Sequence, residues 1–222
     1  MEVELITYTM GCEDVVERAA AVCYDSMPTK GHRIAASCAR SGHMSVWEHI
    51  SYTFHVSGVS RALLAQLSRH RHISLSVRSQ RYNSEKGFSY VIPETIQVEP
   101  VVKDLFDRLM AIIGETYEAL QDAGIPNEDA RAVLPNACCT ELYMTCNARA
   151  LIEMSHLRLC TRAQKEIREL FLELKKGVAS VSPMVADMMV PKCEQWPGVQ
   201  FCTEGKGCGR HPKLQDIVKK EG

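Results

Sequence analysis

A basic segment at residues 69–81 is the part of the sequence best suited to chemistry. It carries four arginines and two histidines in thirteen positions and no acid, although the formal net charge of the whole chain is −1. Cations packed this closely repel one another unless an anion lies among them. Arginine's planar fork suits phosphate, and nearby serines can donate further hydrogen bonds. The segment therefore predicts a site for a phosphate-bearing ligand. The alternative is a solvated basic face that pairs with acids elsewhere in the chain.

The segment is predicted to leave a helix spanning Ala62 to Arg69. Gln66, Arg69 and His70 stand at i, i+3 and i+4, so they are expected to share one face, while Arg71 points elsewhere. If the chain then extends, residues 78–81 emerge on a nearby strand or loop. One cluster could thus contact two anions on different sides.

Arginines further along the chain are less specific on their own. Arg131 follows Glu128 at i+3, which is typical of a surface pair. Asn147 and Arg158 are eleven residues apart, so they would lie on one stripe of an unbroken helix. Arg158 stands among apolar residues, where a guanidinium needs a partner. That partner could be an internal carboxylate or a ligand.

Ten cysteines occur, and no C-x-x-C redox pair is among them. Most are predicted to be small core hydrophobes. The tail adds Cys193, Cys202, Cys208 and His211, a set that can hold Zn²⁺ as a structural staple or remain unliganded thiols. The H-E-x-x-H motif is absent, so no catalytic metal is predicted.

These side chains must be positioned by helices and strands. The hydrophobic patterns of the sequence predict an α+β fold, with helices packed around a small, mostly antiparallel sheet. Strands are expected at Glu2–Tyr8 and Ser51–Val56, the latter broken by Gly58, with Ser60 capping the next helix. Helices are expected at 13–24, at 101–123 (ended by Gly124), at 127–134 and over most of 138–176. No Rossmann glycine motif follows a strand, so any nucleotide that binds here uses a site of another kind. We expect one domain over residues 1–222, with a Cys/Gly-rich tail at about 190–222.

Composition narrows the class of protein. The sequence pI is near 6.7, which disfavours a nucleic-acid-binding protein. No stretch approaches the roughly 20 apolar residues of a membrane helix, and the first ten residues do not resemble a signal peptide. A soluble, cytoplasmic protein is therefore expected.

The motifs of the basic segment and its surroundings resemble the flavin-dependent thymidylate synthases. Arg69-His70-Arg71, seven residues, then Ser79 matches that family's R-H-R-x7-S signature. The match runs from about Gly42 to Ile167, more than half the chain. Further motifs follow the family's order: Gly42-His43-Met44-Ser45 with Trp47-Glu48-His49, Ser79-Gln80-Arg81-Tyr82, Ala130-Arg131-Ala132-Val133-Leu134-Pro135, Asn147-Ala148-Arg149, and Leu157-Arg158 with Ala163-Gln164.

The resemblance implies a homotetramer that binds FAD at subunit interfaces. It implies methylation of dUMP to dTMP, with 5,10-methylenetetrahydrofolate as carbon donor and NADPH as reductant. The residues implied to contact FAD are Ser45, Arg69, His70, Arg71, Val77, Asn147, Arg149 and Glu153. Those implied to hold dUMP are Gln66, Arg69, Val77, Ser79, Gln80, Arg81, Arg131 and Arg158.

Within this set, Arg158 is implied to act catalytically by favouring ionisation of the uracil at N3. Val77 and Glu153 stand where some members carry other side chains, so Val77 would contribute only its backbone. Ser79 has no visible base partner and is expected to position dUMP, not to act as a nucleophile. The alternative from another functional class is a zinc-stapled RNA-binding module that uses the tail and the basic segment.

Overall fold

The computed structural model describes residues 1–218 and has an α+β fold, as predicted. Its four strands form one antiparallel sheet in the order β1-β2-β4-β3: β1 Glu2–Tyr8, β2 Ser51–Ser60, β3 Ile73–Val77 and β4 Cys139–Asn147. The α-helices of these residues are α1 Cys12–Cys23, α2 Arg33–Ser41, α3 Arg61–Leu67, α4 Glu94–Gln97, α5 Pro100–Asp122, α6 Asn127–Ala130, α7 Ala148–Arg158, α8 Lys165–Ala179, α9 Pro183–Met188 and α10 Leu214–Val218. None of them is long and apolar enough to cross a membrane.

Several local predictions are confirmed. Tyr52, Phe54 and Val56 are buried on one face of β2, as their alternation predicts. The Ser60 hydroxyl caps α3 by accepting a 3.0 Å hydrogen bond from the Leu63 amide. Gly124 follows α5 with a φ of +83°, which explains why the helix ends there.

Other local predictions are wrong. Residues 139–147 form β4 and not a helix, because Thr140, Leu142, Met144 and Cys146 are buried in alternation. Gly58 does not end β2. Its φ is +66°, and a Cβ there would lie 3.3 Å from the Met1 backbone nitrogen, so glycine suits a close approach inside the strand.

The predicted shared helix face of Gln66, Arg69 and His70 is also wrong. Helix α3 ends at Leu67 and its C-cap is Ser68, so both basic residues lie beyond the helix. Gln66 alone of the three is presented by α3.

The chain divides into two compact units. Unit 1 contains Met1–Glu2, His55–Arg69 and Leu75–Tyr143, and unit 2 contains Val3–Phe54, His70–Ser74 and the described residues from Met144 onward. The single domain with a Cys/Gly-rich tail stays a prediction.

The core of unit 1 contains side chains of helices α3 and α5. Leu63 and Leu67 of α3 and Tyr117 of α5 are fully buried. The Tyr117 hydroxyl accepts a 3.1 Å hydrogen bond from the Glu85 amide, which fixes the chain just after the basic segment. This core therefore holds the end of the segment that carries Val77, Ser79, Gln80 and Arg81.

The core of unit 2 contains side chains of helices α7 and α8 and of strand β2. Trp47, Phe54, Leu151 and Phe171 are fully buried. Glu17 is buried as well, and its carboxylate accepts hydrogen bonds from the Thr29 amide at 2.9 Å and the Ala35 amide at 2.8 Å. These bonds satisfy a carboxylate that would otherwise be costly to bury.

Candidate active site

Helix α3 presents Gln66 from a well-fixed position in unit 1. The Ser60 cap and the buried Leu63 and Leu67 determine which face of α3 points inward. Gln66 is half-buried, and its Nε2 lies 3.4 Å from the Ala62 carbonyl oxygen, a long hydrogen bond. Arg69 follows the helix and is exposed. The helix and the turn that follows it therefore place an amide and a guanidinium where a ligand can reach them.

The segment after β3 is held by its own backbone. The Arg78 amide donates to the Glu141 carbonyl at 3.0 Å, and the Ser79 hydroxyl accepts from the Arg81 amide at 3.2 Å. Val77 is half-buried at the end of β3. Gln80 is only 9% exposed, and its Nε2 lies 3.7 Å from the Cys138 sulfur, so its side chain faces the protein interior. Only the backbone of Gln80 is well placed to meet a ligand.

Glutamates from distant segments partner the arginines of unit 1. Arg81 contacts one Glu128 oxygen through Nε at 3.0 Å and Nη2 at 2.8 Å. Arg131 donates from Nε to the Glu128 backbone carbonyl at 3.2 Å, so both arginines converge on this residue. Arg78 lies 3.5 Å from Glu85. The basic segment lacks local acids, but the fold supplies part of the counter-charge, as the alternative interpretation proposed.

Arg61 belongs with these arginines, although its motif context does not predict it. Its Nη2 donates to the Arg78 carbonyl at 2.8 Å, while its Nε is buried without a hydrogen-bond partner. Burial lowers the pKa of Arg61; Cys138 and Glu85 oppose this shift, and Arg131 and Arg78 add to it. A signal was available, because a cation in the first turn of a helix opposes the helix dipole and calls for an anion.

His70 and Arg158 meet in unit 2. The Arg158 Nε donates to the His70 Nε2 at 2.8 Å, and the His70 ring lies 6.5 Å from that of Phe171. Burial, reinforced by the Arg158 charge, lowers the pKa of His70 to about 4. Burial also lowers the pKa of Arg158. The imidazole is therefore neutral at pH 7 and acts as the acceptor, which leaves the positive charge on Arg158.

Arg149 lies between two carboxylates at the start of α7. Its Nη1 is 2.7 Å from Glu48 and its Nε is 2.8 Å from Glu153. Glu153 and then Glu48 raise the pKa of Arg149. The three side chains border a cavity of about 220 Å³ in unit 2, lined by Glu48, His72, Asn147, Arg149, Ala150 and Glu153.

Asn147 joins β4 directly to α7. It is the last residue of the strand and the N-cap of the helix, and its Oδ1 accepts a 2.8 Å hydrogen bond from the Ala150 amide. This bond uses the side-chain oxygen, and the amide nitrogen carries two further donors. Asn147 can therefore cap the helix and still donate to a ligand.

The remaining predicted flavin contacts are at the surface. Ser45 begins a 3₁₀ turn at Ser45–His49 and is exposed, and Arg71 is exposed as well. His72 follows with a φ of +62°, so a left-handed residue turns the chain into β3. In unit 2 the structure thus groups His70 with Arg158, and Asn147 with Arg149 and Glu153.

Comparison with known proteins identifies the class. The family described as thymidylate synthase complementing protein matches residues 4–184. The flavin-dependent thymidylate synthase of Geobacter sulfurreducens is 37% identical over 233 residues, which cover 99% of each chain. That of Nitratidesulfovibrio vulgaris is 39% identical over 192 residues, 82% of this chain and 77% of the relative.

Solved structures agree with the sequence comparison. One is the flavin-dependent thymidylate synthase of Helicobacter pylori complexed with FAD and dUMP, with a TM-score of 0.70 at 27% identity, covering 86% of this chain and 100% of the other. Another is PolB, a UMP/dUMP methylase from Streptomyces cacaoi bound with 5-Br dUMP, with a TM-score of 0.75 at 27% identity. The match covers 84% of this chain and 93% of the other. The chain belongs to the family of flavin-dependent thymidylate synthases and is an enzyme of that class.

Proposed function

We propose that the chain converts dUMP to dTMP by reductive methylation, with 5,10-methylenetetrahydrofolate as carbon donor and NADPH as reductant through FAD. The observation that carries the proposal is similarity over 99% of the chain to a flavin-dependent thymidylate synthase, together with the ordered motifs of the basic segment. The Helicobacter pylori relative was solved with FAD and dUMP together, which supports the same ligand pair here.

The arginines of unit 1 fit the phosphate of dUMP. Arg81 and Arg131 converge on Glu128, and the buried Arg61 Nε has a donor to spare. A phosphate dianion would satisfy that donor and balance the neighbouring cations. Arg69, the Val77 and Gln80 backbones and the Ser79 hydroxyl would add contacts. The proposed dUMP residues are Gln66, Arg69, Val77, Ser79, Gln80, Arg81, Arg131 and Arg158, with Arg61 as an addition.

The donors of unit 2 suit a flavin dinucleotide. Arg149 supplies a guanidinium for pyrophosphate and Asn147 an amide donor, while Glu153 can accept from a ribose or adenine. When bound, FAD carries the reducing equivalents that NADPH provides. The proposed FAD residues are Ser45, Arg69, His70, Arg71, Val77, Asn147, Arg149 and Glu153.

Arg158 is proposed as the catalytic residue because it can stabilise negative charge on the uracil. Uracil C5 is a weak nucleophile, and ionisation at N3 raises the electron density of the ring. A fixed guanidinium next to N3 favours that ionisation. The His70 contact orients Arg158 without adding a second charge, since the pKa of His70 is about 4.

A homotetramer is proposed, and helix α5 supports a contact between copies of the chain. Val101, Leu105, Leu109 and Ile112 follow at helical spacing and are each at least half exposed, from 50% to 81%. An apolar stripe of this kind suits burial against a second copy. Light scattering should give a tetramer for the wild-type protein and smaller species for Leu105→Glu. The control Glu118→Lys, at an exposed position of α5 away from this stripe, should stay tetrameric. A monomeric wild type would refute the proposal.

The same proposal covers a cytoplasmic location and a single functional domain, in keeping with a pathway that uses folate and nucleotides. The reaction is tested by tritium release from [5-³H]dUMP with methylenetetrahydrofolate and NADPH, alongside dTMP detection. Release should require both co-substrates and purified protein that retains FAD. Colourless protein that binds neither FAD nor dUMP would refute the proposal. Tight, salt-sensitive RNA binding by such protein would instead favour the RNA-binding alternative.

A further inference from the structure

The cysteine-rich tail of unit 2 forms one wall of a cavity whose other wall includes Leu157 and Arg158 of α7. Its volume is about 220 Å³, and its lining brings together Cys160, Cys193, Cys202, Cys208 and His211. The thiols come from separate segments, and all ten cysteines of the chain are free. Thiols and an imidazole gathered around one cavity are typical ligands for a soft or borderline metal ion.

Three potential ligands are already close together. One donor atom each from Cys193, Glu194 and His211 lies within 4.8 Å of the other two, and all three residues are half-buried. The His211 Nε2 and a Glu194 oxygen are 3.0 Å apart. In a tetrahedral zinc site with bonds of about 2.0–2.3 Å, neighbouring donors are roughly 3–4 Å apart. Small side-chain movements would therefore suffice to close the set around one ion.

Backbone hydrogen bonds hold the segments that carry these residues. The Phe201 amide donates to the Cys193 carbonyl at 3.2 Å, and the Cys202 amide donates to the Pro212 carbonyl at 2.8 Å. His156 of α7 contacts the Val190 carbonyl at 2.8 Å, where the tail begins. The cavity walls are thus fixed by bonds that do not involve the donor side chains.

A simple ion pair is the alternative to a metal ion at this cluster. Glu194 contacts both His211 and Arg210, the latter at 3.3 Å, which could satisfy the carboxylate without a metal. That pairing gives the Cys193 sulfur no role, although it lies within 4.8 Å of the donor atoms of Glu194 and His211. A divalent cation would engage the thiolate, the imidazole and the carboxylate together.

We propose that a structural Zn²⁺ ion binds at the edge of this cavity, with Cys193, Glu194 and His211 as ligands and one of the lining thiols completing the tetrahedron. Zinc suits a closed set of sulfur, nitrogen and oxygen donors. Cys193 and His211 belong to the zinc alternative of the sequence analysis, whereas Glu194 is added by the structure. Leu157 and Arg158 line the same cavity, so the ion would anchor the tail against the last turn of α7.

The test measures metal in the full-length protein, purified without a metal-affinity tag or chelators. Elemental analysis should find about one zinc per chain, as a single tetrahedral site requires. Cys193→Ser and His211→Ala should each lose most of it. Cys23→Ser removes an exposed thiol of α1 and should retain it.

If the variants fail to fold, cobalt substitution of the wild-type protein decides the matter. Tetrahedral Co²⁺ with thiolate ligands gives intense d–d bands and thiolate-to-metal charge-transfer absorption. Absence of zinc together with absence of these bands would overturn the proposal. So would iron with acid-labile sulfide, a disulfide among the lining cysteines, or full zinc in both variants. Metal content is measured without substrate, so the outcome does not depend on whether the chain methylates dUMP.

Discussion

The Arg158 Nε donates a 2.8 Å hydrogen bond to the Nε2 of His70, so a permanently charged group is oriented by a neutral one. The arrangement requires the His70 proton to sit on Nδ1. A protonated His70 would present a second cation to Arg158 and lose the acceptor. The pair therefore couples the orientation of the proposed catalytic guanidinium to the protonation state of one imidazole.

The first prediction concerns pH. Burial and then Arg158 lower the pKa of His70 from 6.5 to about 4. The unfolded chain therefore binds a proton at higher pH than the folded one, and the stability due to neutral His70 is fully present above 6.5. It is lost as the pH falls from 6.5 to 4. Denaturant unfolding should show a larger loss across this window for the wild type than for His70→Gln. NMR titration of the ring near its ordinary pKa would contradict the prediction.

The second prediction concerns Arg158. Arg158→Ala should retain FAD but lower turnover by about 10²-fold or more, since it removes a preorganised group at developing charge. Arg158→Lys should recover part of this loss, because the ammonium keeps the charge but not the planar fork. Arg108→Ala, which removes a surface pair with Asp104 on α5, is the matched control. Near-normal turnover in Arg158→Ala would show that the guanidinium has no such role.

The third prediction is that Glu128 competes with the nucleotide for Arg81. Both side chains are about half exposed, so their ion pair is weak. Glu128→Gln should therefore tighten dUMP binding modestly, by up to about fivefold, measured by calorimetry. Glu173→Gln removes a comparable surface pair with Lys176 and should change nothing. Weaker binding in Glu128→Gln would mean that the carboxylate positions Arg81 for the ligand instead.

The fourth prediction separates the two roles of Asn147. Asn147→Ser keeps an oxygen that can accept from the Ala150 amide, whereas Asn147→Ala does not. Asn147→Ala should cost about 1 kcal/mol of stability, as expected for a lost N-cap. Asn147→Ser should unfold near the wild-type temperature and yet bind FAD more weakly, because the amide donor is gone. Unchanged FAD affinity in both variants would remove Asn147 from the flavin site.

Features that depend on neighbouring residues are predicted well from the sequence. The Ser60 cap of α3 and the buried face of β2 with Tyr52, Phe54 and Val56 are both confirmed. The strand at 139–147 was missed, because its Leu, Met and Cys residues are compatible with a buried helix and its period of two went unrecognised.

Contacts between distant segments of the chain could not be predicted from the sequence. Arg81 and Glu128 are 47 positions apart, and Arg158 and His70 are 88 apart, so spacing alone could not pair them. The motif order predicts which residues take part. Their protonation states and carboxylate partners emerge only from the fold.

Because β4 joins α7 directly, the enzyme is sensitive to the insertion of residues within α7. Arg149 and Arg158 are both carried by α7, nine positions apart, and Asn147 fixes where the helix starts. One inserted residue between them would rotate Arg158 by about 100° and shift it by about 1.5 Å along the axis. The number of residues between Asn147 and Arg158 is therefore fixed as strictly as the identity of either residue.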